Sequence, residues 1–261
     1  MKRSRNSPFS YGIQVCLTCC LFFLSACFLC QLGMMGTAGA VSTLKPELSG
    51  NKEPSFTVVL DAGHGGEDGG AVGKYGTSGS VLEKDLNLSI ATKIKEMLEE
   101  KGYRVVMTRT EDKLLYTEEQ NIYGQRKQYD LKNRLEIVKK AENPILVSIH
   151  MNRFSQEKYS GMQVYYSQNH ADSQRIASII QKTVRERIQP YNRRQIKKAT
   201  SAIYLLNRAT VPAVLIECGF LSNREECKKL STEEYQKELS FSIVCAIIEY
   251  MEQAAVQGGD S

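Results

Sequence analysis

The chain has 261 residues, 42% of them hydrophobic and 24% charged, an ordinary globular balance. Setting aside the first ~50 leaves roughly 200, enough for one full core and too few for two generous domains. Residues 1–40 carry Lys2, Arg3 and Arg5 and no acid, so 31 basic and 29 acidic residues remain, and a domain at +2 gives no electrostatic case for nucleic acid.

Those three cations precede an apolar run from Ile13 to Met35, which ends at the small-residue pattern Thr37-Ala38-Gly39-Ala40. Residues 1–40 therefore read as a signal peptide. The run is also long enough to cross a bilayer as a helix of roughly 20 residues, so a retained membrane anchor fits equally. Leu24-Ser25-Ala26-Cys27 resembles a lipoprotein box, although the residues after Cys27 stay apolar. All three readings put the domain outside the cytoplasm. Residues 41–55 read as a linker, and residues 56–255 as the single folded domain. Five of the eight cysteines (16, 19, 20, 27 and 30) lie in the leader. Cys218, Cys227 and Cys245 remain, an odd number without paired spacing, which excludes a disulfide scaffold and a thiolate zinc site. Cys218 and Cys245 are expected to be buried small hydrophobes.

Strands and helices then alternate. Phe56–Asp61 is a β-branched run ending in Gly-rich sequence, hence a buried strand. Asp85–Lys101 places apolar residues at 86, 90, 94, 97 and 98 on one helical face, and Gly102 stops it. Arg104–Thr108 is the next strand, Leu131–Ala141 the next helix, and Ile145–His150 a third strand opened by Pro144. Gly161–Tyr166 reads as an extra strand, Ser173–Ile188 as a helix, Ala213–Glu217 as a buried strand and Glu233–Met251 as the closing helix. This order predicts an α/β domain of three layers, with a mixed, mainly parallel sheet flanked by helices. Residues 109–130 and 151–160 are the least regular and are expected to rim a site. The basic stretch Tyr191–Lys198 reads as a solvated face or a rim for an acidic partner.

In such sheets ligands bind at the carboxyl ends of the strands. Three apolar runs here end in a group that binds metal or moves protons: VVLDAGH at His64, ILVSIH at His150 and AVLIE at Glu217. The chain has three histidines, and two of them hold these positions; His170, among polar residues before a helix, reads as surface. Two imidazoles and a carboxylate form a recurring catalytic zinc shell that leaves a fourth position for water. Glu83 is the carboxylate candidate, yet its place just before a helix also suits a residue favoured by the helix dipole. Glu67, Asp68 and Asp85 rival it on the same grounds, and spacing does not choose among them. Glu217 emerges from an apolar strand; burial raises a carboxylate's pKa, as proton transfer in both directions requires. A buried pair with Arg224 would be the structural alternative. The glycines of Gly63-His64-Gly65-Gly66 and Gly69-Gly70 permit close backbone approach to a ligand.

Five stretches carry a resemblance: VVLDAGHGGEDGGAVG (58–73), EKDLNLSIA (83–91), RLEIV (134–138), SIHMN (148–152) and LIECGFLSN (215–223). In this order they resemble the zinc-dependent N-acetylmuramoyl-L-alanine amidase family, type 3. The resemblance implies a mixed sheet and one zinc held by His64, Glu83 and His150. It also implies Glu217 as the acid/base, and as substrate the amide between N-acetylmuramic acid and L-Ala of the peptidoglycan stem. Residues 152–160 and 200–208 would wall the groove. The compact domain with its leader resembles the spore-cortex, germination-specific subgroup. That subgroup implies an activating lipoprotein partner; with the leader, the expected location is extracytoplasmic, either secreted or tethered to the outer face of the cytoplasmic membrane, the forespore intermembrane space included. Arg153 departs from the small residue common after Asn152, and no long insertion separates His150 from Glu217. The competing functions are a zinc peptidase acting on stem peptides and a non-catalytic wall-binding module.

Overall fold

A computed structural model describes residues 56–258, Ser78 excepted. The expectations for the leader, its cysteines and the linker up to Ser55 lie outside the described residues. Six strands form one sheet in the order β4-β1-β5-β8-β6-β7: β1 is Thr57–Ala62, β4 Arg104–Met107, β5 Pro144–Asn152, β6 Gln163–Tyr166, β7 Lys197–Lys198 and β8 Ala213–Phe220. Strand β1 runs parallel to β4 and β5, and β5 runs parallel to β8. Strand β6 reverses against β8, and β7 joins β6 in parallel. The sheet is mixed and mainly parallel, as expected. Strands β2 (Val72–Tyr75) and β3 (Gly79–Leu82) form a separate hairpin that sequence patterning did not reveal.

Side-chain alternation along the strands sorts residues to two faces. Val58, Leu60, Ile145, Val147, Ile149, Val214 and Ile216 face the larger core. The helices on that side are α1 (Glu83–Glu100), α3 (Asp172–Arg187) and α6 (Glu233–Gly258). Helix α6 is long and apolar enough to cross a membrane by length and composition, but half of its most apolar window is buried. Leu239, Ile243, Ile247 and Tyr250 pack in this core, which accounts for the apolarity. The opposite face is thinner. There Val59, Leu146 and Leu215 meet Leu135 and Val138 of α2 (Arg126–Lys140) and Leu205 and Leu206 of α4 (Tyr204–Arg208).

Helix α2 starts five residues before the predicted Leu131, because its first turn carries no apolar residue to reveal it. Strand β8 continues past Glu217 to Phe220, and a register shift between His150 and Asn152 sets two residues of β8, Cys218 and Gly219, against one of β5, Met151. Helix α5 (Arg224–Leu230) was also unexpected; Asn223 caps it by accepting from the Glu226 N–H at 3.0 Å. Cys218 and Cys227 are buried, whereas Cys245 is only half-buried, because its side of α6 turns from the core.

Candidate metal centre

Paired residues on neighbouring strands project to the same face. The register sets His150 of β5 opposite Glu217 of β8, and Glu217 opposite Gln163 of β6. All three lie on the thinner face, at the carboxyl ends of β5 and β8. His64 follows the end of β1 in a left-handed conformation (φ 62°). Such backbone persists only where its surroundings over-determine it. Two buried arginines supply that constraint. Arg134 donates from Nη2 to the His64 carbonyl at 2.7 Å and from Nη1 to the Ala62 carbonyl at 2.7 Å. Arg109 donates to the carbonyls of Ala62 at 2.8 Å and Gly63 at 3.0 Å.

Glu83, the first residue of α1, is 4% exposed. Its Oε1 lies 3.2 Å from His64 Nε2 and 3.0 Å from His150 Nδ1. Its Oε2 accepts from the Ala71 N–H at 2.8 Å. Ligand atoms of His64, Glu83 and His150 all fall within 4.8 Å of one another, close enough to hold one metal ion. Two imidazole nitrogens facing one buried carboxylate oxygen form a donor set that fits a divalent cation with an open position. On its outer side, His64 Nδ1 lies 2.9 Å from Asp68 Oδ2, and Lys127 Nζ is 2.9 Å from the same oxygen. A carboxylate behind a ligating imidazole fixes the ring's orientation.

The charges reflect this crowding. Burial alone would raise the Glu83 carboxyl, but the two imidazoles outweigh it and hold it well below the usual range. Burial works against a charged His64, yet the Asp68 and Glu83 carboxylates lift it to about 9. Glu217 moves the other way. Burial, opposed by His150 and His64 and aided by nearby Glu83, pushes its carboxyl up to about 7. Glu217 Oε2 is buried without a hydrogen-bond partner among the described residues. Arg224 is not its partner, because it donates to the Gly76 carbonyl at 2.6 Å.

The rivals of Glu83 fall elsewhere. Glu67 pairs with Arg126 at 2.7 Å, Asp68 sits behind His64, and Asp85 is exposed on α1. His170 accepts from the Asp172 N–H at 3.2 Å at the start of α3. Of the expected rims, Lys127 and Asp130 line a cavity of about 220 Å³ together with His64 and His150, as do residues 202–205 of the expected groove wall. Asn152, Phe154 and Tyr159 line a second cavity of about 310 Å³, whose lining includes none of His64, Glu83, His150 and Glu217.

Sequence reading missed the groups that hold the histidine loop: Asp61, Arg109 and Arg134, with Asn87 donating to the Gly63 carbonyl at 3.1 Å. One signal was available, since Arg134 lies on the same helical face as Leu131, Leu135 and Val138. The glycine reading finds a steric reason. A Cβ on Gly63 would overlap the His150 ring, and one on Gly70 (φ 66°) would sit 2.6 Å from Glu83 Oε2. Gly63→Ala should therefore displace His150 and lower metal affinity by ~10-fold or more, the range found when a ligand's support is disturbed. Metal titration of the folded variant checks this, and wild-type affinity would show that the ring has room to move.

A model of the N-acetylmuramoyl-L-alanine amidase family matches residues 58–249. The germination-specific N-acetylmuramoyl-L-alanine amidase of Bacillus subtilis is 38% identical over 193 residues, 74% of this chain and 78% of that protein. Among solved structures, the CwlD amidase of Clostridioides difficile, in complex with the GerS lipoprotein, superposes with TM-score 0.69 at 41% identity, covering 75% of this chain and 98% of that one. The amidase AmiC2 of Nostoc punctiforme gives TM-score 0.63 at 30% identity, covering 76% and 98%.

Proposed function

The chain belongs to the N-acetylmuramoyl-L-alanine amidase family, and on that premise we propose a zinc hydrolase in which His64, Glu83 and His150 hold the cation and Glu217 moves the proton. Its substrate is the amide joining the lactyl group of N-acetylmuramic acid to L-Ala of the peptidoglycan stem. One juxtaposition carries the reading: a two-histidine, one-carboxylate cluster beside half-buried Glu217, whose Oε2 is buried without a hydrogen-bond partner among the described residues.

The chemistry zinc supplies at such a cluster is Lewis-acid activation of water and of the amide carbonyl. This chain's residues do the rest. Asp68 places a negative charge 2.9 Å behind His64 Nδ1, and Met151 N–H donates to Glu83 Oε1 at 3.1 Å, which helps keep the carboxylate turned inward. Glu217, with a carboxyl near neutrality, takes a proton from the attacking water and returns it to the departing L-Ala nitrogen. Likeness to the germination-specific relative and to CwlD supports a role in spore-cortex remodelling outside the cytoplasm. The CwlD–GerS complex also supports a lipoprotein partner for this chain. The N-terminal segment would tether it if uncleaved.

Mass spectrometry of peptidoglycan digested by the full-length protein tests the function. Intact stem peptides with a free L-Ala amine are required; cleavage within the stem would point to a peptidase, and no cleavage even with the lipoprotein partner added would point to a binding module. The ligand assignment is tested by His64→Ala, expected to lose the bound zinc, with elemental analysis as the readout. Unchanged zinc content would remove His64 from the ligand set.

A further inference from the structure

Beyond Glu217, on the side away from His150, lies a cavity of about 310 Å³ whose lining contains no acid. It begins at Asn152 and Gln163, and Gln163 is the β6 residue in register with Glu217. Its outer wall comes from the basic stretch 191–198, which neither the metal cluster nor the proton-transfer group uses. Arg194 stacks over Phe220 at 4.4 Å and over Tyr159 at 5.8 Å. Its Nε donates to the Ser160 carbonyl at 2.9 Å, and its own N–H donates to Asn192 Oδ1 at 3.0 Å. Gln163 anchors the same stretch by donating to the Gln195 carbonyl.

The guanidinium is thus fixed in place, while its two Nη atoms have no hydrogen-bond partner among the described residues. Buried Glu226 feels the Arg194 charge but does not bond the guanidinium: it accepts from the Gly161 and Phe220 N–H groups, at 2.7 Å each. Lys197, on β7, adds a second cation without an ion pair among the described residues. A pre-positioned fork with free donors, stacked on rings, suits a planar carboxylate.

We propose that this cavity receives the departing stem peptide, and that Arg194, assisted by Lys197, binds a stem carboxylate and sets a preference for free-acid over amidated stems. This rests on the amidase reading above. Two considerations converge on it. The proton delivered by Glu217 goes to the L-Ala nitrogen, so the peptide leaves on the Glu217 side of the centre. Of the two halves of the substrate, only the peptide carries carboxylates. Gln163, in register with Glu217, and Arg194 line the same cavity, so a stem leaving on this side passes the guanidinium, and the first carboxylate it carries is the α-carboxylate of the second residue, a γ-linked D-glutamate.

Calorimetry on the full-length protein with two probe peptides tests this without requiring turnover. Both begin with L-Ala-γ-D-Glu; one has the α-carboxylate free and the other has it as carboxamide. Wild type should favour the acid by ~10-fold or more, as for one charge-assisted contact. Arg194→Gln should remove that preference while leaving carboxamide binding unchanged, and Arg194→Lys should restore part of it. Lys197→Gln, an exposed change, should reduce the preference several-fold and carries the test if Arg194→Gln folds poorly. Equal binding of both peptides by wild type, no measurable binding of either, or equal weakening of both by folded Arg194→Gln would overturn the proposal. Failure of the amidase reading shows separately, as digests lacking stem peptides with a free L-Ala amine.

Discussion

Glu217→Gln should leave zinc content unchanged and slow muramoyl-amide hydrolysis by ~10³-fold or more, toward the upper end of what one acid/base group contributes. The substitution is nearly isosteric and lies outside the cluster formed by His64, Glu83 and His150. What it removes is a titratable oxygen that is buried, unpartnered and poised at about 7. An amide in that place neither accepts the water's proton nor delivers one to the leaving nitrogen, so both halves of the reaction lose their proton carrier. Turnover on isolated peptidoglycan, with elemental analysis of the same preparation, provides the check. Near-wild-type turnover would remove Glu217 from the mechanism. Loss of zinc together with activity would make it a fourth ligand instead.

What the sequence revealed of this site followed from strand physics. Apolar runs that end in one ionisable residue place it at the edge of a parallel sheet, so His64, His150 and Glu217 were legible from patterning. The register bears this out for His150 and Glu217, which face each other across β5 and β8. Glu83 was not legible that way. It belongs to no strand, and the hairpin β2–β3 that leads the chain to it is too short to show a period of two. The type of the long helices was clear because each buries a wide apolar stripe, whereas α4 and α5, at five and seven residues, are too short to show one. Least legible were the groups that act through hydrogen bonds to carbonyl oxygens, because a carbonyl leaves no trace in side-chain patterning. Arg109 illustrates this: in sequence it ends a strand beside a loop, yet in the fold it grips the carbonyls of Ala62, Gly63 and Lys84.

Arg134→Met should lower the stability of the folded domain by about 3–5 kcal/mol, the range for removing one member of a buried ion pair. Arg134 is 1% exposed, and its guanidinium joins three parts of the chain. It bonds Asp130 Oδ2 at 2.9 Å on its own helix, Asp61 Oδ1 at 2.7 Å on β1, and the His64 carbonyl at 2.7 Å. Methionine fills much of the volume, so the cost comes chiefly from stranding Asp61, whose remaining donors are Thr108 at 2.8 Å and Ser148 at 2.5 Å. The pH dependence separates this cause from a packing defect. In the wild type, burial would raise Asp61, but Arg134, with help from His150 and Ser148, holds it at about 2, below its ordinary 3.8. A depressed folded-state pKa contributes stability above the unfolded value, and that contribution is lost as pH falls through about 2. Without the guanidinium the main opponent of burial is gone, and the Asp61 pKa rises. The variant's deficit should therefore be largest near neutrality and shrink as the pH is lowered toward 4, where Asp61 begins to protonate. Urea unfolding of both proteins across that range measures it, and a deficit constant with pH would assign the loss to packing. Because the same guanidinium holds the left-handed His64, zinc affinity of the folded variant should fall as well, which couples the stability of β1 to the metal centre at its end.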